Sequence, residues 1–179
     1  SYTKMEPITA ALARKAGRPV KIMNRVDESM VTTRRHGAKA WMRTAADKTG
    51  RLLARETRIW FDTGAYADNG PRVTATGGDS APGPYRWEAV KVDAHCVHTH
   101  TAPSGSYRAF GASHIQWVGE LQVDEVARKA GIDAVEIRRL NLLHPGEQVR
   151  PGGKPLDADL VGDIIKVSEA LGWDREKPA

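Results

Sequence analysis

Cysteine occurs once in this chain of 179 residues, at Cys96, so no internal disulfide can form and a reducing compartment suits the sequence. No apolar run approaches the roughly 18 residues of a membrane-spanning helix, and no charged-then-apolar leader stands at the N-terminus. The expectation is a cytoplasmic protein with no membrane partner. A basic stripe with interleaved aromatics is missing too. The net charge is +5, yet Arg34-Arg35 and Arg138-Arg139 are isolated pairs among acids, which argues against a nucleic-acid partner. There is no nucleophile elbow with Ser-His-Asp order, no phosphate loop and no dinucleotide fingerprint, so hydrolase, kinase and nicotinamide chemistry have no support. Neither an internal repeat nor a low-complexity tract is visible. What is there is ordinary globular composition, 27% charged and 40% hydrophobic, long enough to bury a core in one domain or two small lobes.

Local signals divide the chain into elements. Thr3-Lys4-Met5-Glu6 reads as a capping box opening a helix that carries Met5, Ile8 and Leu12 and stops at Gly17 before Pro19. Val20 to Met23 is a short strand candidate, and Asp27-Glu28 suits the start of a single helical turn. Lys39–Ala46 and Leu52–Phe61, joined by Asp47-Lys48-Thr49-Gly50, read as an antiparallel hairpin. Asn69 to Pro84, rich in Gly, Pro, Thr and Ser, reads as a long irregular binding loop. From Trp87 to His100 side chains alternate, Val90, Val92, Ala94 and Cys96 against Lys91, Asp93 and His95, as in a half-buried strand. Ile115, Val118, Val123, Val126, Ala127 and Ala130 recur at helical spacing up to Gly131, and Asp133 with Glu136 caps a further helix. Leu160, Ile164, Val167 and Leu171 mark a last amphipathic helix ending at Gly172. The expected fold is α+β, mixed helices and antiparallel strands, with residues 1–145 as the main body, a Pro/Gly linker at 146–156 and a helical segment at 157–179.

Function concentrates where strand gives way to helix. Thr101-Ala102-Pro103-Ser104-Gly105 breaks the strand, and Ser106-Tyr107-Arg108-Ala109-Phe110-Gly111 leads into the helix. Glycine permits close backbone approach to a ligand, helix amides favour an anion, and Arg108 offers a fork for phosphate or carboxylate. Taken alone, the stretch reads more readily as a purely structural turn. His95, Cys96, His98 and His100 form the tempting metal set, but strand geometry spaces Cys96, His98 and His100 by about 7 Å on one face. No second cysteine completes a zinc site, so no metal ligands are assigned. Asp62 with Asp68, and Asp124 with Glu125, have basic neighbours and read as solvated faces with local salt bridges.

Six segments in one order widen the view: Glu6–Lys21 (EPITAALARKAGRPVK), Asn24–Glu28 (NRVDE), Asp62–Tyr66 (DTGAY), Gly83–Arg86 (GPYR), Ser106–Gly111 (SYRAFG) and Glu136–Asn141 (EIRRLN). On them the chain resembles the molybdenum-binding subunit of the xanthine dehydrogenase and aldehyde oxidase family. The resemblance implies part of a molybdopterin-binding domain in an oxidoreductase that hydroxylates N-heterocycles or aldehydes with oxygen from water. It implies molybdenum on molybdopterin cytosine dinucleotide, with FAD and 2Fe-2S on partner subunits or domains. The partners would be the rest of the molybdenum subunit, the iron–sulfur and FAD subunits, and a small aromatic or heterocyclic substrate.

The same resemblance assigns roles. Arg108, Ala109 and Gly111 would belong to the cofactor-binding loop, and Phe110 would lie over the substrate ring, the bland alternative being core packing under the helix start. Thr76 would be substrate-binding: it stands where mammalian-type xanthine oxidases carry an arginine, although Arg72 is four residues away. That pulls away from xanthine towards another N-heterocycle, an aromatic aldehyde or an acyl-CoA thioester. Copper-containing carbon monoxide dehydrogenases place a cysteine in this loop where Ala109 has only a methyl group, which cannot ligate metal. Ser113-His114 replaces the usual Pro-Gln, and His114 either faces the cofactor or lines the helix start. The family's glycine-rich cofactor segment, later pterin segments and catalytic glutamate have no counterpart here, so no catalytic residue is assigned within this chain. The chain is expected to be the middle of a larger subunit, inactive alone. The alternative is a stand-alone, non-catalytic binding or scaffold domain of the same fold.

Overall fold

At the centre of the computed structural model, which describes residues 5–173, runs strand β3 (Leu52–Gly64). Period-two alternation buries one of its faces, with Arg55, Thr57, Ile59, Phe61 and Thr63 all inward. It pairs antiparallel with β2 (Gly37–Ala46), from Gly37 opposite Asp62 to Ala46 opposite Leu52. The hairpin turn is tied by Asp47, whose carboxylate accepts from the Thr49 and Arg51 amides at 2.8 and 3.1 Å. On its other side β3 meets β4 (Ala89–His98), and here the pairing is parallel, Ala54 opposite Ala89 through Gly64 opposite His98. The α+β class holds; the expected antiparallel arrangement holds for the hairpin alone. A parallel neighbour needs a crossover, and a helix supplies it.

That helix is α3 (Gly70–Asp79), which corrects the expectation of an irregular loop over Asn69–Pro84. Glycine and threonine are poor helix formers, so local propensity argued against it. Packing decides otherwise. Gly70, Val73, Thr74 and Gly77 are buried, and a Cβ at Gly77 would lie 2.6 Å from the Phe61 ring. The glycines let the helix lie close on the sheet, and Pro71 in the first turn helps start it.

Elsewhere local signals hold well. Helix α1 (Glu6–Ala16) ends at Gly17 in a left-handed conformation, although Met5 occupies its N-cap and Thr3 lies outside the described residues. Val20–Met23 forms no strand, and α2 (Val26–Thr32) is longer than the single turn expected from Asp27-Glu28. Neither α1 nor α2 buries a residue. Two short strands, β1 (Arg34–Arg35) and β5 (Ser104–Gly105), pair in parallel. Helix α4 (Ala112–Ala130) buries Ile115, Gly119, Val123 and Ala127 along one stripe and stops at left-handed Gly131. The Asp133 carboxylate caps α5 (Ala134–Asn141), as expected, by accepting from the Val135 and Glu136 amides. Helix α6 (Leu160–Leu171) stops at Gly172.

The core has two clusters. Ile59, Phe61, Val73, Ala81 and Ile115 fill the space between sheet, α3 and α4. Leu52, Tyr85, Val123, Ala127, Ile137 and Leu142 fill the other, with Leu160, Val161 and Ile164 of α6 packed against them. Buried Asn141 stitches the second: it accepts from the Leu52 amide at 2.8 Å and donates to the carbonyls of Gly50 and Ile137 at 2.9 and 2.8 Å. Among the described residues no helix is long and apolar enough to cross a membrane.

Substituting alanine for a helical glycine ordinarily gains stability, by about 1 kcal/mol. At Gly77 the sign is expected to reverse, because the added methyl meets the rigid Phe61 ring. Gly77→Ala should lose about 1–3 kcal/mol by urea unfolding, whereas a gain would show that α3 does not press on the sheet.

Candidate functional site

The segment that the sequence singles out is a loop held between two buried supports. Ser104 is fully buried at the start of β5, its hydroxyl donating to the Asp62 carbonyl at 2.9 Å. The chain then rises through Ser106 and Tyr107 and turns sharply: Phe110 N–H donates to the Tyr107 carbonyl at 2.9 Å and Ala112 N–H to that of Ala109 at 2.8 Å. Three consecutive residues take left-handed backbone, Ala109 at φ 75°, Phe110 at φ 46° and Gly111 at φ 93°. For alanine and phenylalanine this conformation costs energy, and such strain gathers at functional sites. Gly111 has no alternative, since a Cβ there would lie 2.6 Å from the Val73 carbonyl oxygen.

The strained turn carries its side chains outward. Phe110 is 36% exposed and Tyr107 63%, so the Phe110 ring is no part of either buried cluster. Arg108 is exposed and forms no ion pair among the described residues. The amides of Arg108, Ala109 and Gly111 likewise donate to no acceptor among them. Thr76 is half-buried on α3, one turn beyond Val73, whose carbonyl faces Gly111.

Two supports that sequence reasoning missed lie beneath. Asn69, 5% exposed, stands at the N-cap of α3 without capping it, and its side-chain amide donates instead to the Ser106 hydroxyl. Asn ahead of Gly-Pro is a helix-start signal, but it carries no hint of the bond to Ser106. The second support is the Arg34-Arg35-His36 segment. Arg34 pairs with Asp62 at 2.5 Å and donates to the Ala102 carbonyl at 3.2 Å. Arg35 lies over the Tyr107 ring, 5.0 Å from its centroid, and donates to the Ser113 hydroxyl. His36 and His114 are both bonded to backbone carbonyls, so His114 lines the helix start; Asn69 Oδ1, His36 Nε2 and His114 Nδ1 have no hydrogen-bond partner among the described residues. No sequence period marks His36.

Other motifs meet elsewhere. Tyr85 donates to the Glu120 carboxylate at 2.9 Å, and Arg138 bridges Glu120 and Asp124 at 2.8 Å each. The Arg86 amide donates to the Asn141 carbonyl at 2.9 Å, so the GPYR and EIRRLN segments build one packed corner instead of the loop. His95 stacks on Trp60, and His98 Nδ1 lies 3.2 Å from the Gly64 carbonyl. Among the described residues no three His, Cys, Asp or Glu side chains converge on a metal position. A groove of about 1090 Å³ runs along β4 and the Pro82–Glu88 segment, and no residue from 104 to 114 lines it.

Known proteins share this architecture. Residues 1–142 match the family model of the molybdopterin cofactor-binding domain. The chain is 39% identical over 142 residues to a probable xanthine dehydrogenase subunit from Bacillus subtilis (strain 168), covering 79% of this chain and 19% of that one. It is 35% identical over 169 residues to the nicotinate dehydrogenase large molybdopterin subunit of Eubacterium barkeri, covering 94% and 38%. The fold matches the aldehyde oxidoreductase from Desulfovibrio gigas with a TM-score of 0.86 at 25% identity, over 99% of this chain and 20% of that one. The chain thus spans well under half the length of these relatives.

The two histidines give the site a pH signature. Burial first, then Arg34 and His114, holds His36 below the ordinary value of 6.5, and burial followed by Arg35 does the same for His114. The unfolded chain takes up protons below pH 6.5 while the folded rings resist, so their contribution is complete above 6.5 and is lost as the pH falls. Unfolding midpoints in urea are expected to drop between pH 7.5 and 5.5, and less steeply in a His36→Asn, His114→Gln double variant. An identical slope in the two proteins would refute the assignment.

Proposed function

The chain belongs to the molybdopterin cofactor-binding domain family of xanthine dehydrogenase and aldehyde oxidoreductase type, and on that footing we propose that it forms one wall of a molybdenum hydroxylase active site. The observation that carries the reading is the left-handed turn at Ala109, Phe110 and Gly111, which frees backbone N–H groups and turns an aromatic ring outward. These residues fit an oxygen-rich, anionic cofactor. The Arg108 and Gly111 amides and the Arg108 guanidinium are donors with no competing acceptor among the described residues, and the bare Cα of Gly111 allows close approach. Arg108, Ala109 and Gly111 would hold the pterin group, in its cytosine dinucleotide form. When bound, that group supplies a molybdenum centre that transfers oxygen from water to carbon and takes up two electrons.

This chain's own residues orient and exclude. Phe110 offers a stacking face that fixes a flat substrate at a defined angle, and Thr76 borders the same approach from α3. Names of relatives that act on xanthine and nicotinate support an N-heterocycle as substrate, with an aldehyde as the second class. The proton-abstracting base, the iron–sulfur clusters and FAD would come from the remainder of the assembly, in the cytoplasm.

Two outcomes follow. In the complete enzyme, Phe110→Ala should lower kcat/KM for an aromatic substrate at least roughly tenfold with molybdenum content unchanged, through lost stacking and orientation. Phe110→Leu is the control, retaining apolar volume without the ring; if it turns over as wild type, the ring has no part in binding. Purified by itself, this chain should carry no stoichiometric molybdenum and no hydroxylase activity. Elemental analysis finding about one molybdenum per chain would overturn that expectation.

A further inference from the structure

Two imidazoles grip the Ser106–Gly111 loop at both of its ends. His36, 3% exposed between β1 and β2, places Nδ1 3.2 Å from the carbonyl oxygen of Gly105, where the loop leaves β5. His114, in the first turn of α4 where the loop rejoins regular structure, places Nε2 3.0 Å from the carbonyl oxygen of His36 itself. A carbonyl oxygen only accepts, so the ring nitrogen facing it must carry the proton. His36 is therefore the Nδ1–H tautomer and His114 the Nε2–H tautomer. The result is a directed chain of hydrogen bonds, from the helix that follows the loop, through His36, to the strand that precedes it. Phe61 steadies one end, its ring standing edge-on to His114 at 5.7 Å.

We propose that His36 and His114 are positioning residues, which through this chain hold Phe110 in its left-handed conformation and so fix the angle at which an aromatic substrate meets the ring. The inference rests on the reading of the loop as a substrate wall. Among the described residues, the turn's own backbone bonds, Phe110 to Tyr107, Ala112 to Ala109 and His114 to Gly111, oppose relaxation of Ala109 and Phe110 to ordinary backbone. The restraint on its two ends comes from outside it, from His36 and Asn69 at the start and His114 and Arg35 at the finish.

Nitrogen position provides the test. Glutamine places its side-chain N–H close to that of Nε2, and asparagine places its own close to that of Nδ1. The complete molybdenum-binding subunit is made with four substitutions, His114→Gln, His114→Asn, His36→Asn and His36→Gln. Amide hydrogen exchange is followed in residues 105–112, with β3 as internal reference. His114→Gln and His36→Asn should keep most of the loop's protection. His114→Asn and His36→Gln should exchange at least roughly tenfold faster there with β3 unchanged, and should raise KM for a bicyclic N-heterocycle without loss of molybdenum. Exchange that ignores which nitrogen is kept overturns the clasp, whatever the kinetics. Exchange that follows the nitrogen while KM stays constant in all four leaves the clasp standing and overturns Phe110 as a substrate wall. A variant that unfolds is recognised by its β3 exchange, and the matched pair at the other histidine then decides.

Discussion

The sheet and the two helices that border the loop are joined by one buried guanidinium. Arg55 is 2% exposed in the middle of β3 and donates to the carbonyls of Ala81 at 3.1 Å and Gly119 at 3.3 Å, while lying 4.5 Å from the centroid of Trp87. Ala81 follows the C-cap of α3, Gly119 lies within α4, and Trp87 leads into β4. Burial, opposed by Tyr85 and Glu120, pushes the group down to about 10, so it stays charged at neutral pH. A buried charge is costly unless fully satisfied. Here satisfaction requires the sheet and both helices to be in place together. Gly119 is part of the requirement, since a Cβ there would come 3.2 Å from the guanidinium.

From that fixed point the loop's position follows by short steps. On α4 the buried stripe passes from Val123 in one cluster, across Gly119, to Ile115 in the other, and the next turn back is Gly111. On α3, Val73 packs under Phe61 and turns its carbonyl towards the same glycine. The last residue of the strained turn, Gly111, is therefore packed against α3 at the start of α4, the two helices that Arg55 joins through the Ala81 and Gly119 carbonyls. Ala109 and Phe110 are themselves exposed, and their strained backbone is anchored by the neighbouring Gly111, which has no room to move.

Sequence reasoning reached what local chemistry determines. Stops at Gly17, Gly131 and Gly172, the Asp133 cap and the hairpin over Asp47 each depend on a few adjacent residues, and each was legible. Helix α3 was not, because its stability comes from glycines pressed on Phe61 and Thr63, partners outside any local window. The parallel registration of β4 is equally non-local, and an alternation pattern has no direction. For the site, turn formers and the family resemblance indicated Arg108 to Gly111, but Asn69 and His36 act only through contacts made after folding. Phe110 faces outward, and Thr76 lies on a helix that abuts the loop.

The pairing of β1 with β5 also orders events in time. The residues that the clasp joins lie 68 to 78 positions apart in the chain, from Arg34 with Ala102 to His36 with His114. Closing so long a loop costs more entropy than closing the β2–β3 hairpin, and it is repaid only after the intervening strand and helix have docked. The Arg108–Gly111 loop is thus expected to be among the last parts of the described fold to assemble. A polypeptide slowed partway through folding would hold its β2–β3 hairpin before the left-handed turn at Ala109 to Gly111 is fixed.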